Sequence, residues 1–154
     1  MMIRFHVIVP FKITDIDFGD GLLYQVEYLR KKGVDLHIHY VNCVDFEAIV
    51  TDGGQYALIG HGSSGSDLIF AKRTSDCVRI EKTKVVVSLE SRGLTCVIDM
   101  RCGAPISEGG VAVTSNANIA VEQILKHLGL ESFVWNSGGK LDLESFLRGG
   151  KSTR

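Results

Sequence analysis

Proline is scarce, with two in 154 residues, tryptophan occurs once, and neither sign of charge dominates, since 17 Lys+Arg face 18 Asp+Glu. So little proline argues against a proline-rich linker or a disordered chain. A formal net charge of −1 supplies no global attraction to nucleic acid or to anionic lipid, so neither is expected as a partner. No apolar run approaches the ~18–20 residues of a membrane span, and no membrane association is expected. The apolar start, residues 1–10, contains His6 and is followed by no small-residue cleavage site, so a cytoplasmic protein without a secretory leader is expected. The four cysteines, Cys43, Cys77, Cys96 and Cys102, form no CxxC pair and lack the dense spacing of a disulfide framework. The five histidines do not combine with them at zinc-site spacing, so reduced thiols are expected, with no metal and no cofactor.

What the sequence does have is apolar residues, at 45%, and glycine, at 17. With no repeat or low-complexity stretch, residues 1–154 read as a single domain with a sizeable core. Ile3–Val9, closed by Pro10, reads as a buried strand. Leu22, Val26 and Leu29 recur at helical spacing, with Asp20 available as a cap and Gly33 as the stop. Leu36, Ile38 and Tyr40 alternate with His37 and His39 as a second strand, and Tyr56–Ile59 is a short third strand ending at Gly60-His61-Gly62. Asp67–Ile80 reads as a hairpin turning at Arg73–Asp76, Glu81–Arg92 as a helix and Thr95–Ile98 as a fourth apolar strand. Val111–Val113 is a further strand candidate, Asn116–His127 a helix, Glu131–Trp135 a strand and Leu141–Leu147 a last helix. Strands alternating with helices imply an α/β fold, a mostly parallel sheet with helices on both faces. Sites in such sheets lie beyond the C-terminal strand ends, and His61 and Cys102 each follow such an end. If those strands are neighbours, both side chains reach one rim.

A thiolate beside an imidazole is a nucleophile with its own proton carrier, and acyl transfer also needs N–H donors for the developing oxyanion. The glycine-rich turn around His61 and the peptide at Cys102-Gly103 offer such donors. Ala57-Leu58-Ile59-Gly60-His61-Gly62, then a helix, then Cys96-Val97-Ile98-Asp99-Met100-Arg101-Cys102-Gly103, resembles the caspase-like cysteine peptidases, which include metacaspase and gingipain-type enzymes. That resemblance implies a three-layer α/β sandwich with a mostly parallel central sheet and a protein or peptide substrate. It implies His61 as acid/base and Cys102 as nucleophile, with Gly62, Asp99 and Gly103 in oxyanion or orienting positions. Many relatives place an acidic or polar residue two positions before the nucleophile, whereas Asp99 stands three before Cys102. The region after Cys102 is short for a complete substrate groove.

Other readings stand beside this one. A catalytically silent binding or regulatory protein, a pseudo-peptidase or the inhibitory partner of a toxin, fits the same scaffold and would take a protein partner. Gly60–Ser66 also suits a phosphate cradle, although it lacks a P-loop lysine. Asp99 suits a turn cap as well as an orienter. Arg101 suits recognition of an acidic side chain or depression of the Cys102 thiol pKa, and Asp15, Asp17 and Asp20 suit a basic-residue pocket or a solvated loop. His37 and His39 share one strand face, but no third ligand has a convincing position, so a polar strand face is the expectation.

Overall fold

In a computed structural model of the chain, the residues described are 2–17, 21–42, 49, 51–62, 66–73, 76–101, 107–108, 111–113 and 117–130; side chains are described for all of these except 21–24, 107–108, 111–113 and 117–120. Strand β1 (Ile3–Val9) leads to helix α1 (Gly21–Lys31) and strand β2 (Val34–Tyr40), and a single 3-10 turn, Asp52–Gly54, precedes β3 (Gln55–Leu58). The hairpin of β4 (Leu68–Phe70) and β5 (Arg79–Glu81) runs straight into α2 (Lys82–Glu90), followed by β6 (Thr95–Asp99), β7 (Ser107–Glu108), β8 (Val111–Val113) and α3 (Ala117–His127).

Six strands form one sheet in the order β2-β1-β3-β6-β8-β7, while β4 and β5 make a separate antiparallel pair. Every neighbouring pair in the large sheet is parallel except β7–β8, so the chain is α/β with a mostly parallel sheet. Phe5 to Val9 of β1 are all buried, the near-continuous run that a strand covered on both sides requires. His6 is the one polar side chain in that run.

Helix α2 shows tertiary packing overriding propensity. Its Val85-Val86-Val87 run is a poor helix former because β-branched side chains lose rotamer freedom against the preceding turn. Val85 and Leu89, four apart, are nonetheless fully buried, and the helix packs on β5 and β6. Its first turn is capped from a distance: Asp67 accepts hydrogen bonds from the Thr83 N–H at 3.3 Å and the Thr83 hydroxyl at 3.0 Å. Past its end, Gly93 takes φ 82°, left-handed backbone that glycine adopts without a Cβ clash, and Leu94 N–H reaches back to the Leu89 carbonyl at 3.1 Å.

Most elements fall within a residue or two of their sequence-based ranges. The 3-10 turn and the two-residue β7 carry too little pattern to have been read. Asp20, Thr74, Ser75, the strand expected at Glu131–Trp135 and the helix expected at Leu141–Leu147 lie outside the described residues.

Candidate functional site

The two motif-bearing strands are neighbours: β3 and β6 pair in parallel, and Leu58 is the Cα partner of Asp99. The Met100 N–H extends that pairing to the Leu58 carbonyl at 2.7 Å. His61 and Cys102 each stand three residues beyond this matched pair, so both motifs leave the sheet at one level of its C-terminal rim. Cys102 and Gly103 lie outside the described residues; His61, Gly62 and Asp99 lie within them.

His61 is held by backbone on one side and by its ring on the other. Its N–H donates to the Phe70 carbonyl at 2.9 Å, and its carbonyl accepts from the Phe70 N–H at 2.7 Å, which ties the end of β3 to the hairpin. Gly60 makes that approach possible, because a Cβ there would lie 2.2 Å from Cγ2 of the buried Ile69. The ring Nε2 donates to the main-chain carbonyl of Asp17, and the Asp17 N–H is itself bonded to the Ala71 carbonyl at 3.0 Å. A carbonyl oxygen only accepts, so the neutral imidazole carries its proton on Nε2 and its lone pair on Nδ1. Asp17 thus acts through its peptide oxygen, a role that no side-chain pattern announces.

Asp99 is fully buried and committed to cations. Arg101 Nε lies 3.1 and 3.0 Å from its two oxygens, Arg101 Nη2 is 2.8 Å from Oδ2, and Lys82 Nζ is 3.0 Å from the same oxygen. The Arg101 N–H also donates to Asp99 Oδ1 at 3.0 Å, so the turn-capping role expected as one alternative is present. Burial alone would raise the Asp99 carboxyl, but the Arg101 hydrogen bonds and charge, with Lys82 behind them, hold it below the usual carboxylate range.

Arg101 is 1% exposed, so its guanidinium faces inward rather than toward a substrate's acidic side chain. Nη1 donates to the carbonyls of Ser66 at 2.9 Å and Leu68 at 3.3 Å, which braces the strap after the His61 loop against the end of β6. Two donors of the Gly60–Ser66 region and its exit are spent internally: the His61 N–H on Phe70, and the Leu68 N–H on Ser66 Oγ at 3.1 Å. Residues 63–65 of that loop lie outside the described residues.

The other cysteines separate by environment. Cys96 is 5% exposed, and burial, then the Asp99 charge, push its thiol up to about 12, which leaves it an unreactive packing residue. Cys77 is half-buried, its Sγ 3.7 Å from the Lys72 carbonyl. Cys43 lies outside the described residues.

A second polar cluster covers the β1–β2 half of the sheet. His6 pairs with His37 across the two strands, and His39 follows two residues on. His6 Nδ1 is 2.8 Å from His39 Nε2, and the two rings stack with centroids 5.1 Å apart. On its other side, His6 Nε2 lies 3.2 Å from the Asp52 N–H and 3.4 Å from Asp52 Oδ2. His37 Nε2 meets Asp35 Oδ2 at 3.0 Å, and Arg4 Nη1 meets Asp52 Oδ2 at 3.2 Å. The polar strand face read at His37 and His39 therefore includes a third imidazole, visible only once the strand register is known. Among the described residues no group of three or more His, Cys, Asp or Glu side chains could hold a metal ion. Likewise no helix among them is long and apolar enough to cross a membrane.

No family model, curated protein or solved structure matches the chain.

Proposed function

We propose that the chain is a cysteine peptidase-like hydrolase of the cytoplasm, in which Cys102 and His61 cleave a peptide or amide bond through a thioester. The observation that carries this reading is the parallel pairing of β3 with β6 in the Leu58–Asp99 register, with the candidate base and the candidate nucleophile each three residues later in the sequence. The His61 ring adds to it. With Nε2–H held by the Asp17 carbonyl, the neutral ring carries its lone pair on Nδ1. In the first step Nδ1 takes the Cys102 thiol proton, and Sγ forms a bond to the acyl carbon as the carbonyl π electrons move onto oxygen. Collapse of that oxyanion expels the amine, which takes the proton from Nδ1. Water then gives a proton to Nδ1, attacks the thioester carbon and displaces the thiolate, which recovers the proton. Backbone N–H groups near Gly62 and Cys102 are the proposed oxyanion donors.

The three-layer, caspase-like form of the fold belongs to the same proposal. Gln55 Oε1 is 2.9 Å from His127 Nε2 of α3, which supports α3 on the face to which Gln55 points, and α2 packs on β6.

The test is an electrophilic acyl-type probe presented to wild type, Cys102→Ala and His61→Ala. Wild type is expected to be modified at Cys102 and to outpace both variants. Modification of wild type no faster than Cys102→Ala would overturn the reading.

A further inference from the structure

We propose that His6 and His39 form a proton-operated latch that holds strand β2 to β1 and to the turn ahead of β3 when neutral, and releases when both rings are protonated. The inference is independent of the chemistry proposed at His61 and Cys102.

Two nitrogens 2.8 Å apart must share one hydrogen, one ring donating and the other accepting. In the neutral state the direction is set from outside the pair. The Asp52 N–H donates to His6 Nε2, so that nitrogen carries the lone pair, and the His6 proton sits on Nδ1 and points at His39 Nε2. Asp52 opens the 3-10 turn that feeds β3, so the chain of bonds runs from that turn through β1 to β2. β2 ends the order of the sheet, with β1 as its neighbour there.

One added proton leaves this chain unbroken. It arrives on the lone pair of His6 Nε2, where Asp52 Oδ2, 3.4 Å away, replaces the Asp52 N–H as partner, while His6 Nδ1–H still donates to His39 Nε2. A second proton places an N–H on both facing nitrogens, and a 2.8 Å contact between two donors carrying like charge cannot persist.

The surroundings set which protons arrive easily. On β1 and the 3-10 turn, Arg4 and Asp52 pair with each other beside His6; on β2, Asp35 and His37 pair; on β3, Tyr56 is the Cα partner of His6. Asp45 and Glu47 lie outside the described residues. Burial first, then the charges on His6 and His37, lower the His39 pKa from its ordinary 6.5. A lowered folded pKa means that the unfolded chain binds the proton more readily. The stabilisation is thus fully present above about pH 6.5 and is lost as pH falls through that value toward the folded one. His6, with its side chain 6% exposed, has no room to swing its ring into water without opening the β1 face.

The experiment is urea unfolding of the intact chain from pH 7.5 to 5, for wild type, His39→Gln and His37→Gln. Gln at position 39 offers Nδ1–H of His6 an acceptor that does not titrate. Wild type and His37→Gln are expected to lose about tenfold or more in folding constant across that range, and His39→Gln to lose markedly less. The same pH dependence in His39→Gln as in wild type would overturn the proposal. Imidazole nitrogen NMR of wild type keeps the test decisive should that variant fail to fold. Protons on Nδ1 of both neutral rings, and coupled two-step titration, are expected; independent titration of His6 and His39 would contradict it.

Discussion

Leu58 and Asp99 are Cα partners across β3 and β6, and this one register relationship sets the geometry of the candidate site. His61 follows Leu58 by three residues as Cys102 follows Asp99 in the sequence, and the register brings the buried Asp99 carboxylate level with the exit of β3. The hairpin, the Asp17 peptide and Arg101 then fix the His61 side of that rim.

Gly60 is expected to be intolerant even of alanine. The added Cβ would sit 2.2 Å from Ile69 Cγ2, a β-branched side chain with no exposure, so the hairpin would be pushed away from β3. Gly60→Ala is expected to cost about 1–3 kcal/mol in urea unfolding, as overpacked cores do. Ile69→Leu removes the Cβ methyl, so the double variant is expected to be more stable than the sum of the two single changes requires. Simple additivity would show that the close approach is not the cause.

The Asp99–Arg101–Lys82 group is expected to behave as a unit. Arg101→Met leaves the buried carboxylate with Lys82 as its remaining cation, at an expected cost of about 3–5 kcal/mol, whereas replacing all three, Asp99→Leu with Arg101→Met and Lys82→Met, is expected to be more stable than that single variant. Because its folded pKa lies below the ordinary 3.8, Asp99 contributes stability that is present above that value and is lost as pH falls through the folded one. Acid unfolding of Asp99→Asn is accordingly expected to show a weaker pH dependence than wild type in that window.

Thiol mapping by mass spectrometry separates two cysteines. Cys77 is expected to react with iodoacetamide in the native protein, and Cys96, buried with its thiol pushed up to about 12, only on unfolding. Native-state modification of Cys96 at the rate of Cys77 would contradict the packing described.

Asp17 separates backbone from side-chain orientation of His61. Since the ring bonds the peptide carbonyl, Asp17→Ala is expected to leave the pH profile of probe labelling at Cys102 unchanged. A shift of that profile would assign the orienting role to the carboxylate.

The alternating elements and their order were legible in the sequence because buried parallel strands write continuous apolar runs, as in Phe5–Val9, and because glycines such as Gly33 and Gly93 mark helix ends. The position of His61 past the end of β3 was legible for the same reason. Register was not. No local pattern tells that Leu58 faces Asp99, or that His6 of β1 falls beside His37 and within reach of His39. Nor does sequence distinguish an arginine aimed at substrate from one turned inward, and Arg101 is turned inward because a buried Asp99 and two strap carbonyls supply its acceptors. The Asp17 contact was invisible because it uses a peptide oxygen that every residue has.

The most direct measurement is the rate of acyl-probe modification at Cys102, resolved by peptide mass spectrometry, in wild type and His61→Ala across pH 5–9. Fast modification near neutral pH in wild type, slowed at least about tenfold in His61→Ala, is expected of a thiol whose proton is carried by that imidazole. Equal rates in the two proteins would contradict the account.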